Sequence, residues 1–154
     1  MTYKPRIISI YINSNSVGNV GIGEDTIYSY SIDGNSLNNN GEAILADCVG
    51  IFAASLNNKR LRVKYGGTTI FDSGSLAITA ATDWSLKVRI MRTGAATQKC
   101  SVEMSSSSAV LSSSSDYSTA TETLSGAVVF TVTAEATTDN DIVGEFIKVF
   151  WERS

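Results

Sequence analysis

The sequence predicts an all-β protein, a two-sheet antiparallel β-sandwich that is jelly-roll-like and has about eight strands. Apolar residues recur at every second position along most of the chain, and no segment has a long apolar run at the i, i+3, i+4 spacing of a helix. Turn residues separate the apolar runs by about eight to twelve residues, which is typical of sandwiches. Long connections at residues 33–42 and 105–117 favour a sandwich over a ladder of hairpins, and the second is expected to be a long ordered loop or a short edge strand.

The strands predicted in the first half of the chain differ in how many of their faces are apolar. The run at residues 43–54 is almost continuously apolar, as expected of a strand that is covered on both sides. In the strand that follows, Arg62 and Lys64 alternate with apolar residues and must face the other way. The strands predicted here cover residues 7–12, 28–32, 43–54, 61–65 and 68–72.

The second half contains the clearest strand with one buried face. Trp84, Leu86, Val88 and Ile90 alternate there with polar residues. The last strand has apolar residues on both faces, so we expect it to be central or covered by another subunit. The strands predicted in this half cover residues 84–90, 100–104, 127–135 and 142–151.

The length predicts a single domain over residues 1–154, because 154 residues with 43% hydrophobic composition can bury one core but not two ordinary ones. The apolar run at residues 7–12 is short, and no small-residue cleavage site follows it, so we interpret it as a strand and expect no signal peptide. No stretch approaches the roughly eighteen apolar residues that span a bilayer. We therefore expect no membrane partner.

The charge distribution is uneven. A net charge of −3 gives no general attraction to nucleic acid, so no nucleic-acid partner is expected. Eight of the twelve basic residues lie between residues 59 and 99, whereas residues 100–147 contain acidic residues and no Lys or Arg. These zones either neutralise each other across strands within one subunit or make complementary contacts between subunits.

Catalytic chemistry has little support in this sequence. The absence of histidine removes the Ser-His-Asp triad, the Cys-His pair and the usual zinc ligands, and no cofactor or metal is expected. Glu103, Glu122, Glu135 and Glu145 are of the right type for glycoside hydrolysis, but no aromatic-rich segment adjoins them to form a sugar cleft. We predict no enzyme and no catalytic residues.

Three further features have a structural and a functional interpretation. The segment Asp139-Asn140-Asp141 suggests a calcium loop but lacks its spaced Gly and terminal Glu, so a tight turn is favoured. Cys48 and Cys100 are expected to be buried free thiols, unless their strands are neighbours. Trp84 and Trp151 lie among aliphatic residues and are expected in the core.

Four segments resemble a compact jelly-roll module of tailed-bacteriophage virion proteins, which include capsid decoration (cement) proteins and tail-fibre and spike domains. They are residues 52–61, residues 65–68, residues 84–98 and residues 140–151, within a likeness that covers residues 42–152. The resemblance implies a virion protein made in the host cytoplasm. It also implies a homotrimer whose partner is the major capsid protein or another virion protein.

The small size favours a capsid decoration protein over a fibre, because no heptads or collagen-like triplets form a shaft. Residues 1–26 are then either an N-terminal arm laid over a neighbouring capsid subunit or the first strands of the sandwich. We expect self-association through Phe146, Val149, Phe150 and Trp151. Candidate outward contacts to a partner are Arg62, Lys64 and Arg89.

Two alternatives use the same fold, because the fold does not decide the function. One is a tail-fibre or spike tip that recognises host-surface glycans through Tyr28, Tyr30 and the loops 33–42 and 105–117. The other is a carbohydrate-binding module, which is disfavoured because no signal peptide and no catalytic domain accompany it.

Overall fold

The computed structural model describes residues 4–153, apart from the side chains of Ser112 and Ser113. These residues form eleven β-strands and no helix, so the predicted all-β fold is confirmed. No helix that could cross a membrane occurs within this range. The strands are β1 (Arg6–Asn13), β2 (Val17–Gly18), β3 (Gly23–Ile32), β4 (Ala43–Phe52), β5 (Arg60–Tyr65), β6 (Thr68–Asp72), β7 (Thr82–Gly94), β8 (Thr97–Ser108), β9 (Leu111–Ala120), β10 (Val128–Ala136) and β11 (Ile142–Arg153).

The strands form two antiparallel sheets that pack as a sandwich. The large sheet has the order β1-β11-β4-β7-β8-β9, with β2 also paired to β11, and the small sheet has the order β3-β10-β5-β6. Without β2 and the β8–β9 hairpin, eight strands remain, and their sequence numbers run 1-8-3-6 in one sheet and 2-7-4-5 in the other. This is the strand order of a jelly roll. Eight of the predicted strand ranges therefore form the jelly roll, while the range 100–104 belongs to β8 of a hairpin that enlarges one of its sheets.

The hairpin corrects one prediction from the sequence. Residues 105–117 are not a long connection, because β8 runs to Ser108 and β9 starts at Leu111. The serines continue the ladder: the hydroxyl groups of Ser85 and Ser105 lie 2.6 Å apart, and Ser106 donates a hydrogen bond to the Asp83 carbonyl oxygen. Residues 33–42 do connect two strands, β3 and β4.

The core lies between the two sheets and follows the alternation of the sequence. Trp84, with no exposed area, packs against Phe52 with ring centroids 6.3 Å apart. Cys48 in β4 and Cys100 in β8 are buried and free, and β7 separates their strands. Trp151 is half-buried, and the Arg153 guanidinium lies 3.6 Å from its ring centroid.

The start of the chain contributes three strands. Strand β1 forms one edge of the large sheet beside β11, β2 pairs with β11, and β3 forms an edge of the small sheet. Residues 1–3 of the predicted arm lie outside the described residues. An arm contact with a neighbouring capsid subunit stays a prediction.

Candidate functional site

The outer face of the small sheet carries a network of six charged side chains. Arg62 lies at its centre, with 13% of its side chain exposed, and reaches Glu24 at 3.1 Å, Asp72 at 3.3 Å and Glu135 at 2.7 Å. Around it, Arg60 pairs with Asp72 and Lys64 pairs with Glu24. Three acids and three bases therefore neutralise one another within one subunit.

Strand register explains why these residues meet. Strand β10 pairs with both β3 and β5, which places Glu135 between Glu24 and Arg60. Strand β6 places Asp72 opposite Arg62. Two residues predicted to face a partner, Arg62 and Lys64, are thus held in ion pairs of their own subunit, and their contact with a partner stays a prediction.

This network predicts a loss of stability in acid. The hydrogen bond from the Arg60 guanidinium lowers the pKa of Asp72 from 3.8 to about 2, and the bond from Lys64 lowers the pKa of Glu24 below 4.5. Because the folded-state pKa values lie below the unfolded ones, the stabilisation is complete above about pH 5 and is lost as the pH falls towards 2. Urea unfolding midpoints measured from pH 7 to pH 2.5 should fall over this window.

Asp72→Asn is the matched variant, since it keeps the shape of the side chain and removes the titrating group. We expect a lower midpoint at pH 7 and a shallower pH dependence than in the wild type. An unchanged pH dependence would show that this carboxylate does not contribute to acid lability.

The outer face of the large sheet is built differently. We call the outward side chains of β4 and β11 the large-sheet face; register pairs them as Val49 with Phe146, Asp47 with Lys148, and Leu45 with Phe150. Phe146 is 37% exposed, Asp47 and Lys148 are exposed, and the other three are half-buried. We call each pair of cross-strand neighbours a rung. Two apolar rungs, Val49 with Phe146 and Leu45 with Phe150, therefore flank one charged rung, Asp47 with Lys148.

The charged rung continues across the sheet. Asp47 lies beside Lys87 of β7, and Lys87 lies beside Glu103 of β8, so the row Lys148, Asp47, Lys87, Glu103 alternates in sign. Among the described residues, none of these four forms an ion pair within 4.0 Å. Unlike the small-sheet network, these charges are available to a partner.

Exposed apolar side chains surround this row. Ile12 of the edge strand is 58% exposed, and Ile51 of β4 is 46% exposed. A depression of about 770 Å³ is lined by Ile12, Val49, Phe146 and Phe150 together with Lys148, Asp47 and Lys87 of the charged row. Exposed apolar groups in one patch are typical of an interaction surface.

Of the four residues predicted for self-association, the structure brings Phe146 and Phe150 together on this face. Val149 has no exposed area and belongs to the core, because alternation along β11 turns it inward. Trp151 lies on the same inner side of β11 as Val149 and packs partly against the core. Arg89, the third predicted outward contact, lies on the large sheet with 47% of its side chain exposed and pairs with Glu152 at 2.8 Å.

The predicted glycan-binding tyrosines are largely covered. Tyr28 is 2% exposed, and its hydroxyl group donates to the Asn15 carbonyl oxygen at 2.9 Å. Burial raises the pKa of Tyr28. Tyr30 stacks on Tyr11 with centroids 4.6 Å apart, which covers one face of its ring.

The sequence analysis missed Tyr117, which is 63% exposed on the edge strand β9. It lines a shallow depression of about 250 Å³ together with Arg89 and Lys99. The sequence did contain a signal for this exposure. Tyr117 stands in the polar stretch Ser-Asp-Tyr-Ser, where no apolar neighbour predicts that it is buried.

The two aspartates that suggested a calcium loop, Asp139 and Asp141, accept hydrogen bonds from nearby groups of the protein. Asp141 accepts hydrogen bonds from the Thr138 amide at 3.1 Å and from Asn57 at 2.8 Å, and Asp139 accepts one from the Gly21 amide at 2.6 Å. These hydrogen bonds belong to the tight turn that the sequence favoured over a calcium loop. No group of three or more His, Cys, Asp or Glu residues is arranged to hold a metal ion in the part of the chain that the structure describes.

The glutamates considered for hydrolysis are dispersed. Glu103 lies on the large sheet and Glu135 on the small one. Glu122 accepts a hydrogen bond from the Gly67 amide at 2.8 Å, and Glu145 accepts one from the Ser16 hydroxyl group at 2.6 Å. Each has a separate local environment.

No family model and no curated protein matches this chain. One similar solved structure is the CBM2 module of the evolved Dit of Lactobacillus casei BL23 phage J-1, with 11% identity, 99% of each chain covered and a TM-score of 0.46. Another is VP2 of the infectious bursal disease virus subviral particle, with 11% identity, 98% of this chain and 42% of that chain covered, and a TM-score of 0.33. At these values neither likeness carries an argument about function.

Proposed function

We propose that the chain is a non-enzymatic structural protein of a bacteriophage virion, specifically a trimeric capsid decoration protein that stabilises the assembled head. The large-sheet face supports this proposal, because Phe146, Phe150, Ile12 and Ile51 leave apolar area exposed beside unpaired charges. A jelly roll suits such a role, since capsid domains use it widely, although the same fold also serves lectins.

The mechanism is mechanical. Three copies bury part of their apolar strand faces against one another, and each subunit places other surfaces across the joints between major capsid proteins. A protein that binds only the assembled lattice stabilises that lattice by mass action. Arg62, Lys64 and Arg89 remain the candidate contacts to the capsid, and such a contact would have to cover or exchange the ion pairs that each makes within its own subunit.

Light scattering coupled to size exclusion tests the oligomeric part of this proposal. We expect a stable trimer of about 49 kDa, three times the subunit mass of 16.4 kDa, across a dilution series. Co-sedimentation with decoration-free capsids of the encoding phage then tests attachment. A monomer at every concentration that also fails to co-sediment would contradict the proposal.

A second candidate function is glycan recognition, and the exposed Tyr117 favours it. The Tyr117 ring offers a stacking surface beside Lys99 and beside Arg89, whose charge is paired with Glu152, and the Lys99 ammonium group suits an acidic sugar. Glycan-array binding that is lost in Tyr117→Ala and kept in Tyr30→Phe would support this function. Absence of binding to any acidic glycan would count against it.

A further inference from the structure

We infer that the large-sheet face is the site of self-association, where a second copy of this chain packs its β4 and β11 against the same strands about a rotation axis parallel to the strands. This inference rests on the proposed function, because it names the surface through which the subunits associate. It follows from the residues that register places side by side on that face.

Rotation about an axis parallel to the strands leaves the position of each side chain along the strand direction unchanged. It brings the β11 side of one copy to the β4 side of the other. When the axis lies in front of the line between β4 and β11, each residue of β11 meets the β4 residue that is its neighbour within the sheet. Lys148 then faces Asp47 of the partner subunit. Phe146 faces Val49 of the partner subunit, and Phe150 faces Leu45 of the partner subunit.

Every contact between β4 and β11 in this arrangement joins groups of matching chemistry. The charged rung forms two reciprocal Lys–Asp contacts around a two-fold axis and three around a three-fold axis, while the apolar rungs above and below exclude water from them. The pairing of Lys148 with Asp47 depends on the direction and position of the axis but not on whether the axis is two-fold or three-fold, so it is compatible with the proposed trimer.

Other arrangements of this face are disfavoured by charge. A two-fold axis perpendicular to the strands, along the charged rung, would set Lys148 against Lys148 of the partner subunit and Asp47 against Asp47 of the partner subunit. Like charges facing each other across an interface cost several kcal/mol. The alternating row thus selects both the register and the axis direction.

The opposite side of the sandwich does not offer the same opportunity. The charges on the small-sheet face, among them Arg62 and Glu24, already neutralise one another within the subunit. A partner docking there would have to cover or break those pairs, at a desolvation cost. On the large-sheet face, Asp47 and Lys148 are exposed and have no ion-pair partner among the described residues.

Charge reversal tests the inference directly. Lys148→Glu makes the central rung wholly acidic and Asp47→Lys makes it wholly basic, so each single variant repels its own copies. We expect the dissociation constant of the oligomer to rise about 100-fold in each, with a 16.4 kDa monomer at concentrations where the wild type is associated. The double variant Asp47→Lys/Lys148→Glu restores opposite charges and is expected to recover the wild-type mass.

Lys99→Glu is the matched control. Lys99 is exposed on β8 of the same sheet, away from the axis, so the same change of charge should leave the mass unaltered. Circular dichroism of each variant checks the fold, and Phe146→Ser provides a second disruption of the face that does not depend on charge.

The outcomes separate the inference from the proposed function. Single variants and Phe146→Ser that keep the wild-type mass would overturn this surface while leaving a self-associating virion protein in place. Single variants that dissociate without rescue in the double variant would overturn the Lys148–Asp47 pairing. A wild type that is monomeric throughout would overturn this inference, and co-sedimentation with capsids would then decide whether attachment to the virion stands without self-association.

Discussion

Lys59→Ala is expected to destabilise the protein by about 3–5 kcal/mol, the combined cost of leaving buried oxygens without a donor and of opening a cavity. Lys59 has no exposed area, although it sits in a segment rich in basic residues. Its ammonium group lies 2.7 Å from the Ile78 carbonyl oxygen, 3.1 Å from that of Asn57 and 3.0 Å from the Ser55 hydroxyl oxygen. Alanine would leave these oxygens without a donor and open a cavity.

Lys59 links the segment before β5 to the loop that contains Ile78, beside the β-bridge between Lys59 and Leu76. Burial lowers its pKa, and the nearby carboxylate of Asp141 acts in the opposite direction. Asp141 in turn accepts a hydrogen bond from Asn57, so the turn before β11 is tied to the segment before β5. The ammonium group therefore fixes the geometry of this end of the sandwich as well as satisfying its oxygens.

Urea unfolding at pH 7 measures the effect. Lys59→Met retains most of the volume but supplies no donors, so we expect it to lose nearly as much stability as Lys59→Ala if hydrogen bonding dominates. Lys87→Ala is the surface control and should change stability by less than about 0.5 kcal/mol. A Lys59→Ala midpoint equal to that of Lys87→Ala would mean that water replaces the ammonium group.

The example of Lys59 shows what the sequence could predict and what it could not. Alternation assigns faces well inside a long strand: Trp84 and Leu86 are buried and Lys87 is exposed, as predicted. Lys59 precedes β5 in phase with Leu61, Val63 and Tyr65, so alternation places it on the inner face, but its charge argued against burial. Its burial depends on the Ile78 carbonyl oxygen, which is distant in sequence and contributed by a loop.

The same reasoning applies to the candidate site. The apolar character of Phe146 and Phe150 could be read from the sequence, and so could the charge of Asp47 and Lys148. Their arrangement into matching rungs depends on the pairing of β11 with β4, and strand order is not encoded in a period of two. The serine-rich end of β8 and the full length of β9 were missed for a related reason, because cross-strand hydroxyl contacts leave no hydrophobic pattern.

Gly50→Ala is expected to cost about 3 kcal/mol by overpacking, with a fall in melting temperature of roughly 6–12 °C. Gly50 lies near the end of β4, opposite Trp84 of β7 and Gly144 of β11. A methyl group at this position would overlap both the Trp84 indole ring and the Val143 carbonyl oxygen. The backbone oxygen cannot rotate aside, and the indole ring is enclosed by the core.

Thermal unfolding of Gly50→Ala is compared with that of the control Gly126→Ala. The comparison separates the clash at Gly50 from the general effect of replacing a glycine. A methyl group at Gly126 would lie 3.9 Å from the Thr123 carbonyl oxygen, an ordinary contact, so the control should shift the midpoint little. Equal midpoints for the two variants would show that the Trp84 ring can move. Because Val49 and Ile51 flank Gly50 and point outward, a displaced β4 should also weaken association through the large-sheet face, and that loss should appear together with the lower melting temperature.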